Sequence, residues 1–154
     1  TISLKDKMKK ILAITSSGGH WTQMRRMAPS FSGNEVVYVS TLKGYAKEVS
    51  TCKYYQVKDA SAWSKLNLII LFLQLVKILF KERPEVVIST GAAPGLFAII
   101  ISRFIGARTI WVDSIANYEK ISLSGRLVKY FTHLHLTQWE HLTNQKTQFS
   151  GKVL

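Results

Sequence analysis

The 154-residue chain is short of acidic side chains, cysteine and proline. Its one cysteine, Cys52, has no partner for a disulfide within the chain, as is typical of proteins in a reducing, cytoplasmic compartment. Only 9 Asp and Glu stand against 21 Lys and Arg, which leaves a formal charge of +12. This excess indicates an anionic partner, either nucleic acid, an acidic lipid surface or a phosphate-bearing substrate, unless the charge only solvates the surface.

The sequence also lacks an apolar run long enough to cross a membrane. The longest, residues 66–80, is interrupted by Asn67, Gln74 and Lys77, and as a helix it would cover about 22 Å of a bilayer core of about 30 Å. No secretory signal is visible, because the lysines near the start are followed by only a short strand-like pattern. We therefore expect one domain over residues 1–154, with residues 1–8 flexible or foreign to the natural chain.

Hydrophobic residues make up 47% of the chain, and they fall in short β-rich runs that alternate with helical patterns. This alternation is typical of an α/β domain with a parallel sheet. The predicted strands are 10–15, 35–40, 53–57, 85–90, 108–113 and 134–137. The predicted helices are 21–28, 64–81, one that leads from the turn of residues 91–95 to about residue 105 and has Pro94 near its start, and 123–131. We expect the first and fourth strands to lie side by side, at the switch point where such sheets bind ligands.

A glycine-rich turn, residues 16–20 (SSGGH), follows the first predicted strand. Glycines allow a ligand to approach the backbone, and the start of the next helix offers free N–H groups and a positive dipole to a phosphate. The turn has neither the Walker nor the dinucleotide-binding pattern. His20 stands at the helix start, where the dipole favours a neutral imidazole able to act as a base. An ordinary role in the helix start is the alternative.

Two further turns are predicted at the same edge of the sheet. Residues 89–95 repeat the glycine-rich pattern after the fourth strand, either to bind a ligand or to pack the helix tightly on its strand. Asp113 and Ser114 lie at the end of the fifth strand, where the carboxylate could accept a proton, bind a sugar hydroxyl or cap a helix. The histidines lack the spacing of a metal site, so we expect no metal.

The predicted helix over residues 64–81 is apolar around most of its circumference, since its polar residues Asn67, Gln74 and Lys81 recur every seven positions. Either neighbouring helices cover it, or one face lies among lipid headgroups next to basic residues. The residues expected to contact a membrane are Lys65, Leu68, Phe72, Lys77 and Phe80. Nucleic-acid binding is disfavoured, because the tryptophans are scattered and no recognition motif is present.

Four motifs in this order resemble the Alg14 family, including its bacterial PssD-like and CpsF-like members in capsule and exopolysaccharide synthesis. They are residues 16–20 (SSGGH), 89–91 (STG) with Pro94-Gly95, 123–127 (LSGRL) and 137–142 (TQWEHL). The resemblance implies a single Rossmann-like domain, the N-terminal, acceptor-side half of a glycosyltransferase-B (GT-B) enzyme. It also implies that the donor half is a separate Alg13-like or PssE-like chain. That chain would hold the nucleotide sugar, so no other cofactor is expected.

The resemblance further implies that the pair adds a sugar to a polyprenyl-diphosphate-linked sugar at the cytoplasmic face of the cell membrane. The residues expected at this acceptor and phosphate site are Ser16, Ser17, Gly18, Gly19, Thr90, Gly91, Pro94, Gly95, Ser114 and Asn117. His20 is the first choice as catalytic base and Asp113 the second. Residues Gln138, Trp139 and Glu140 are expected near the surface that binds the donor subunit.

Two positions depart from the family pattern. Asp113-Ser114 replaces the usual Glu-Ser, so the carboxylate is one methylene shorter, and Asn117 stands where the family commonly has an arginine. Both changes leave the catalytic role of Asp113 open. The alternative hypothesis is a non-catalytic scaffold that anchors the partner transferase at the membrane and activates it.

Overall fold

A computed structural model describes residues 8–60 and 64–153, which form a seven-stranded parallel sheet in the order β3-β2-β1-β4-β5-β6-β7. The strands are β1 Lys10–Ile14, β2 Glu35–Ser40, β3 Lys53–Gln56, β4 Val86–Ser89, β5 Arg108–Val112, β6 Leu134–Thr137 and β7 Thr147–Phe149. β1 and β4 are neighbours, with Ile11 opposite Val86 and Ile14 opposite Ser89. The predicted switch point between the first and fourth strands is therefore confirmed.

Helices cover both faces of the sheet. They are α1 Gly19–Arg26, α2 Lys65–Glu82, α3 Ala92–Phe104 and α4 Leu123–Val128, with 3₁₀ turns at Ala28–Phe31, Lys43–Lys47 and Glu140–Leu142. On one face, Leu71, Leu75 and Leu79 of α2 pack with α3, α4 and the strands in one hydrophobic cluster. On the other face, Trp21 and Met24 of α1 pack in a second cluster. This doubly wound α/β arrangement confirms the fold class predicted from the sequence.

Most predicted elements are confirmed, with shifts of a few residues at their ends. α1 begins at Gly19, two residues earlier than predicted, and α4 ends at Val128 rather than at 131. The prediction missed β7, because this three-residue edge strand has no apolar run. The expectation for residues 1–8 falls almost wholly outside the described residues, apart from Met8, which is exposed in front of β1.

A buried carboxylate on α2 forms ion pairs with β1 and β3 at the edge of the sheet where the strands begin. Glu82, at the end of α2, is 4% exposed, and its oxygens lie 2.7 Å from Lys10 Nζ and 3.0 Å from Lys53 Nζ. The hydroxyl of Tyr55 donates to the same carboxylate. Burial alone would raise the pKa of Glu82, but its hydrogen bonds with Lys10, Tyr55 and Lys53 outweigh burial and lower the pKa to about 2.

Candidate functional site

A cleft of about 240 Å³ opens at the carboxyl edge of the sheet, beside the switch point between β1 and β4. It lies between the starts of α1, α3 and α4 and the loop of residues 114–122 that follows β5. Its lining residues are His20, Ala92, Ser114, Ala116, Asn117, Ser122, Leu123 and Ser124. The turns that the sequence singled out after the first, fourth and fifth strands therefore meet in one place.

His20 is held in the cleft by the turn after β4. Its Nδ1 lies 3.0 Å from the backbone oxygen of Thr90, and since a carbonyl can only accept, Nδ1 carries the proton. Among residues 8–60 and 64–153 no hydrogen bond uses Nε2, so its lone pair is available in the cleft. The Thr90 hydroxyl, in turn, lies 2.8 Å from both Thr15 Oγ1 and the backbone oxygen of His20. The two glycine-rich turns thus fix one imidazole tautomer.

The His20 ring leaves no space for a side chain at position 91, which is a glycine. A Cβ at this position would lie 2.5 Å from both Cε1 and Nδ1 of the imidazole, and the backbone φ of +147° also favours glycine. The next residue, Ala92, has φ +66°, an uncommon conformation for a residue with a side chain. Backbone strain of this kind clusters at functional sites, and here it lies on the wall of the cleft.

The rest of the second turn serves helix packing. Pro94 and Gly95 are buried, and a Cβ on Gly95 would lie 1.9 Å from Ser89 Oγ and 3.2 Å from the Trp111 ring. α3 therefore sits directly on β4 and β5 at this point. The structure does not bring Pro94 and Gly95 to the cleft, which matches the packing alternative for this part of the turn.

The first turn is backed by a tyrosine that sequence reasoning missed. Gly18 has φ +78°, and its N–H donates to the hydroxyl of Tyr45 at 2.9 Å. The Tyr45 ring stacks on Trp21 with centroids 4.3 Å apart. Tyr45 comes from the 3₁₀ turn after β2 and carried no sequence signal of its own. Ser16 and Ser17 are half-buried and Gly19 is exposed, and none of these three lines the cleft.

Asp113 is an internal anchor. Its side chain is almost fully buried, and both carboxylate oxygens accept hydrogen bonds from the protein. Oδ1 accepts from Trp111 Nε1 at 3.0 Å and from the Ser122 hydroxyl at 2.6 Å, and Oδ2 accepts from Asn117 Nδ2 at 3.1 Å and from the Ser122 N–H at 3.0 Å. These bonds close the loop 114–122 on itself. They favour a structural role for Asp113 over a role as a base.

A buried pair of amides connects this loop with α1 and with the end of the described chain. Gln23, which sequence reasoning missed, contacts Ser114 and Ile115, and Gln138 contacts Gln23 and the backbone oxygen of Asp113. Gln23 follows His20 by three residues, a spacing that places both on one side of α1. Gln138 is 1% exposed, so its side chain serves this internal network rather than an outer surface.

The other two residues expected near the donor subunit are closer to solvent. Trp139 is half-buried, and its Nε1 donates to the backbone oxygen of Ile115 at 2.7 Å, while Glu140 is exposed. The Tyr118 ring meets the Trp139 ring edge-on with centroids 4.8 Å apart. Trp139 therefore supports the cleft loop from outside and lies next to an exposed turn.

The outer side of the α2–α3–α4 layer exposes many large apolar side chains. We call the following set the apolar face: Leu66, Ile69, Phe72, Leu73, Phe80, Phe104, Leu123 and Leu127. Of the residues predicted to contact a membrane, Lys65, Phe72, Lys77 and Phe80 are exposed and Leu68 is half-buried. Leu123 belongs to the apolar face and also lines the cleft. The cleft thus opens at the border of this face.

Residues 8–60 and 64–153 contain neither a membrane-spanning helix nor a cluster of metal ligands. No helix in these ranges has both the length and the apolar character needed to cross a bilayer. The same ranges contain no group of three or more His, Cys, Asp and Glu side chains that could hold a metal ion.

The chain has the fold of one half of the two-domain GT-B architecture. MurG from Acinetobacter baumannii superposes with a TM-score of 0.74 at 9% identity, over 92% of this chain and 45% of that protein. A UDP-N-acetylglucosamine 2-epimerase from Rickettsia bellii superposes with a TM-score of 0.69 at 15% identity, over 95% and 45%. At such low identities the likeness concerns the fold alone. The chain spans less than half the length of these structures.

The sequence places the chain within one family. Residues 46–153 match the family described as oligosaccharide biosynthesis protein Alg14 like, and the chain belongs to that family. A UDP-N-acetylglucosamine transferase subunit ALG14 from Yarrowia lipolytica is 25% identical over 92% of this chain and 78% of that protein. The protein of the same name from Candida albicans is 24% identical over 93% and 78%. The family resemblance predicted from the four motifs is confirmed.

Proposed function

We propose that this chain is the acceptor-binding subunit of a two-chain, membrane-associated glycosyltransferase. Its cleft would bind a polyprenyl-diphosphate-linked sugar, and a separate Alg13-like or PssE-like subunit would hold the nucleotide sugar. Capsule or exopolysaccharide synthesis is the process we propose for the pair. The observation that carries this proposal is the position of His20 in a member of the Alg14 family. Its Nε2 has no hydrogen-bond partner among the described residues and lies in a cleft that borders the apolar face.

In the proposed reaction, His20 acts as the general base. Its Nε2 accepts the proton of an acceptor-sugar hydroxyl, and the hydroxyl oxygen then forms a bond to the anomeric carbon of the donor sugar. The bond from that carbon to the nucleoside diphosphate breaks, and the diphosphate leaves with the electron pair. The Thr90 carbonyl keeps the proton on Nδ1 and stabilises the imidazolium that forms.

Membrane association rests on the apolar face and its charges. Lys65, Lys77 and Lys81 are exposed on α2, beside the apolar side chains of the same helix. Basic residues near an anionic leaflet contribute about 1 kcal/mol each, and exposed apolar side chains add to binding at the headgroup boundary. A lipid-linked acceptor could then extend its diphosphate into the cleft across Leu123 while its chain stays in the membrane. We propose that the protein acts at the cytoplasmic face of the cell membrane.

The reaction is tested by reconstitution with a donor-binding subunit, a nucleotide sugar and a polyprenyl-diphosphate sugar. Loss of a general base lowers turnover by about 10²- to 10⁴-fold, so His20→Ala should abolish most transfer while the two chains still bind each other. His133→Ala, a substitution of an exposed histidine outside the cleft, is the matched control. Full activity of the chain alone would contradict the two-chain proposal, and full activity of His20→Ala would favour the scaffold.

Membrane binding is tested by flotation with vesicles. The double change Leu73→Ser and Phe80→Ser should release the protein from vesicles that contain anionic lipid, because it removes two exposed apolar side chains from α2. Leu42 is a comparably exposed leucine that lies just before the 3₁₀ turn Lys43–Lys47 and outside the apolar face, so Leu42→Ser should leave vesicle binding unchanged. Equal binding of all three proteins would exclude the apolar face as the contact.

A further inference from the structure

The orientation of the Gln138 amide is fixed by backbone groups. Its Oε1 lies 2.7 Å from the N–H of Val153, which can only donate, and its Nε2 lies 3.0 Å from the backbone oxygen of Asp113, which can only accept. Exchange of the amide oxygen and nitrogen would break both contacts. Gln138 is also nearly fully buried, so water does not compete for these bonds.

Gln138 and one further backbone group fix the amide of Gln23. The Nε2 of Gln138 donates its second hydrogen to Gln23 Oε1, and the N–H of Ile115 donates to the same oxygen at 3.2 Å. Both lone pairs of Gln23 Oε1 are then occupied by donors. The Nε2 of Gln23 must therefore point the other way, and it lies 3.0 Å from Ser114 Oγ.

The polarity of the Ser114 hydroxyl follows from these neighbours. Its oxygen accepts from Gln23 Nε2 at 3.0 Å and from the N–H of Ala116 at 3.2 Å, which uses the two lone pairs of a hydroxyl. Only the hydroxyl proton remains, and within residues 8–60 and 64–153 no protein acceptor takes it. Because Ser114 lines the cleft, this proton is available to a ligand there.

We propose that Ser114 is an obligatory hydrogen-bond donor to a diphosphate oxygen in the cleft, and that Gln23 is the positioning residue that imposes this polarity. An ionised phosphate oxygen can only accept, so it suits a hydroxyl that can only donate. The inference rests on the proposed diphosphate ligand and adds to it a specific contact and its cause. It also gives Gln138 a role, since Gln138 transmits the backbone polarity of Val153 and Asp113 to Gln23.

The test is the binding of farnesyl diphosphate, a soluble prenyl diphosphate, to the full chain by isothermal titration calorimetry. A hydrogen bond to a charged group changes affinity by about tenfold or more, so Ser114→Ala should weaken binding by that factor. Gln23→Glu keeps the oxygen that accepts from Ile115 and Gln138. However, it replaces the donating nitrogen by an oxygen, which would draw the Ser114 proton away from the cleft. It should weaken binding as much as Ser114→Ala does.

The double variant separates this polarity from simple charge repulsion. If Gln23→Glu acts by removing the Ser114 donor, adding Ser114→Ala should weaken binding by less than about twofold more. If the new carboxylate only repels the ligand, the two effects should multiply, and the inference would be wrong. Gln74→Glu adds the same charge on α2, where Gln74 accepts from the Lys58 N–H at 2.7 Å, and should leave binding unchanged.

The remaining outcomes of the binding experiment also test the proposal. Ser114→Cys, whose thiol is a weak donor, replaces Ser114→Ala in the cycle if the alanine variant does not fold. If the wild type binds farnesyl diphosphate and the Ser114 variants bind it equally well, the proposed role of Ser114 is refuted. The proposed function is not affected by that result. A wild-type chain that does not bind farnesyl diphosphate would refute the diphosphate site of the proposed function, and this inference with it.

Discussion

The buried carboxylate of Glu82 predicts how strongly acid destabilises the fold. Its pKa is about 2 in the folded chain against an ordinary value of 4.5, because Lys10, Tyr55 and Lys53 all stabilise the charged form. Each pKa unit corresponds to about 1.4 kcal/mol, so the ionised carboxylate contributes about 3 kcal/mol at neutral pH. Glu82→Gln keeps the shape but removes the charge. We expect this variant to lose roughly 2–3 kcal/mol of its free energy of unfolding at pH 7.

The sign of the pH dependence follows from the lowered pKa. Above pH 4.5 Glu82 is ionised in both the folded and unfolded chains, and its full contribution is present. Between pH 4.5 and about 2 the unfolded chain binds the proton first, so stability is lost as the pH falls. Urea unfolding of both proteins from pH 7 to pH 3 measures this. The difference between the free energies of unfolding of the wild type and Glu82→Gln should stay constant down to about pH 4.5 and then shrink by roughly 2 kcal/mol at pH 3.

Glu35→Gln is the matched control. Glu35 also faces Lys10, at 3.8 Å, but its side chain is 48% exposed, and exposed ion pairs contribute at most about 1 kcal/mol. Its profile should run nearly parallel to that of the wild type. A Glu82→Gln variant that is as stable as the wild type at pH 7, or whose deficit persists unchanged to pH 3, would refute the reasoning.

Two further predictions concern Gly91 beside the cleft and His135 in β6. Gly91→Ala should abolish sugar transfer in the two-chain assay as His20→Ala does, because its Cβ would lie 2.5 Å from the imidazole; retained activity would show that the ring position is not critical. Burial lowers the pKa of His135, whose Nε2 donates to the Gly125 carbonyl, so the folded chain should lose stability as the pH falls below about 6.5. His135→Gln should reduce the slope of the free energy of unfolding against pH, measured by urea unfolding between pH 7 and 5. An unchanged slope would contradict this assignment.

The sequence predicted the sheet well because alternation and glycine turns report backbone geometry directly. Six strands, the neighbouring positions of β1 and β4, and the arrival of His20 and Ser114 at one edge all follow from local patterns and the rules of parallel sheets. Such patterns carry no information on side-chain partners. The path from Val153 to Ser114 depends on contacts between residues far apart in the chain, and the donors that occupy Asp113, although all within nine residues of it, depend on the conformation of the loop that follows β5.

The same reasoning explains why the sequence overestimated some site residues. Gly95 and Gly91 look alike in sequence, yet one makes room for Ser89 under α3 and the other for the His20 ring. Gln138 lies in a polar motif and resembles a surface residue in the sequence, whereas it is buried and its Oε1 accepts from the N–H of Val153. A polar residue in a motif indicates a fixed contact, and only the fold decides whether the contact is internal.

The two edges of the sheet use polar groups in opposite ways. Where the strands begin, the charge of Glu82 is matched by Lys10 and Lys53, and the arrangement stabilises the fold. At the cleft edge, the internal hydrogen bonds of the loop and the turns orient polar groups toward a ligand. Among the described residues, they leave a lone pair on His20 and a proton on Ser114 available in the cleft. A ligand that fills both must carry a hydroxyl that can give up its proton and an oxygen that only accepts. A sugar linked to a diphosphate has both groups, so these two groups of the cleft fit the acceptor that we propose.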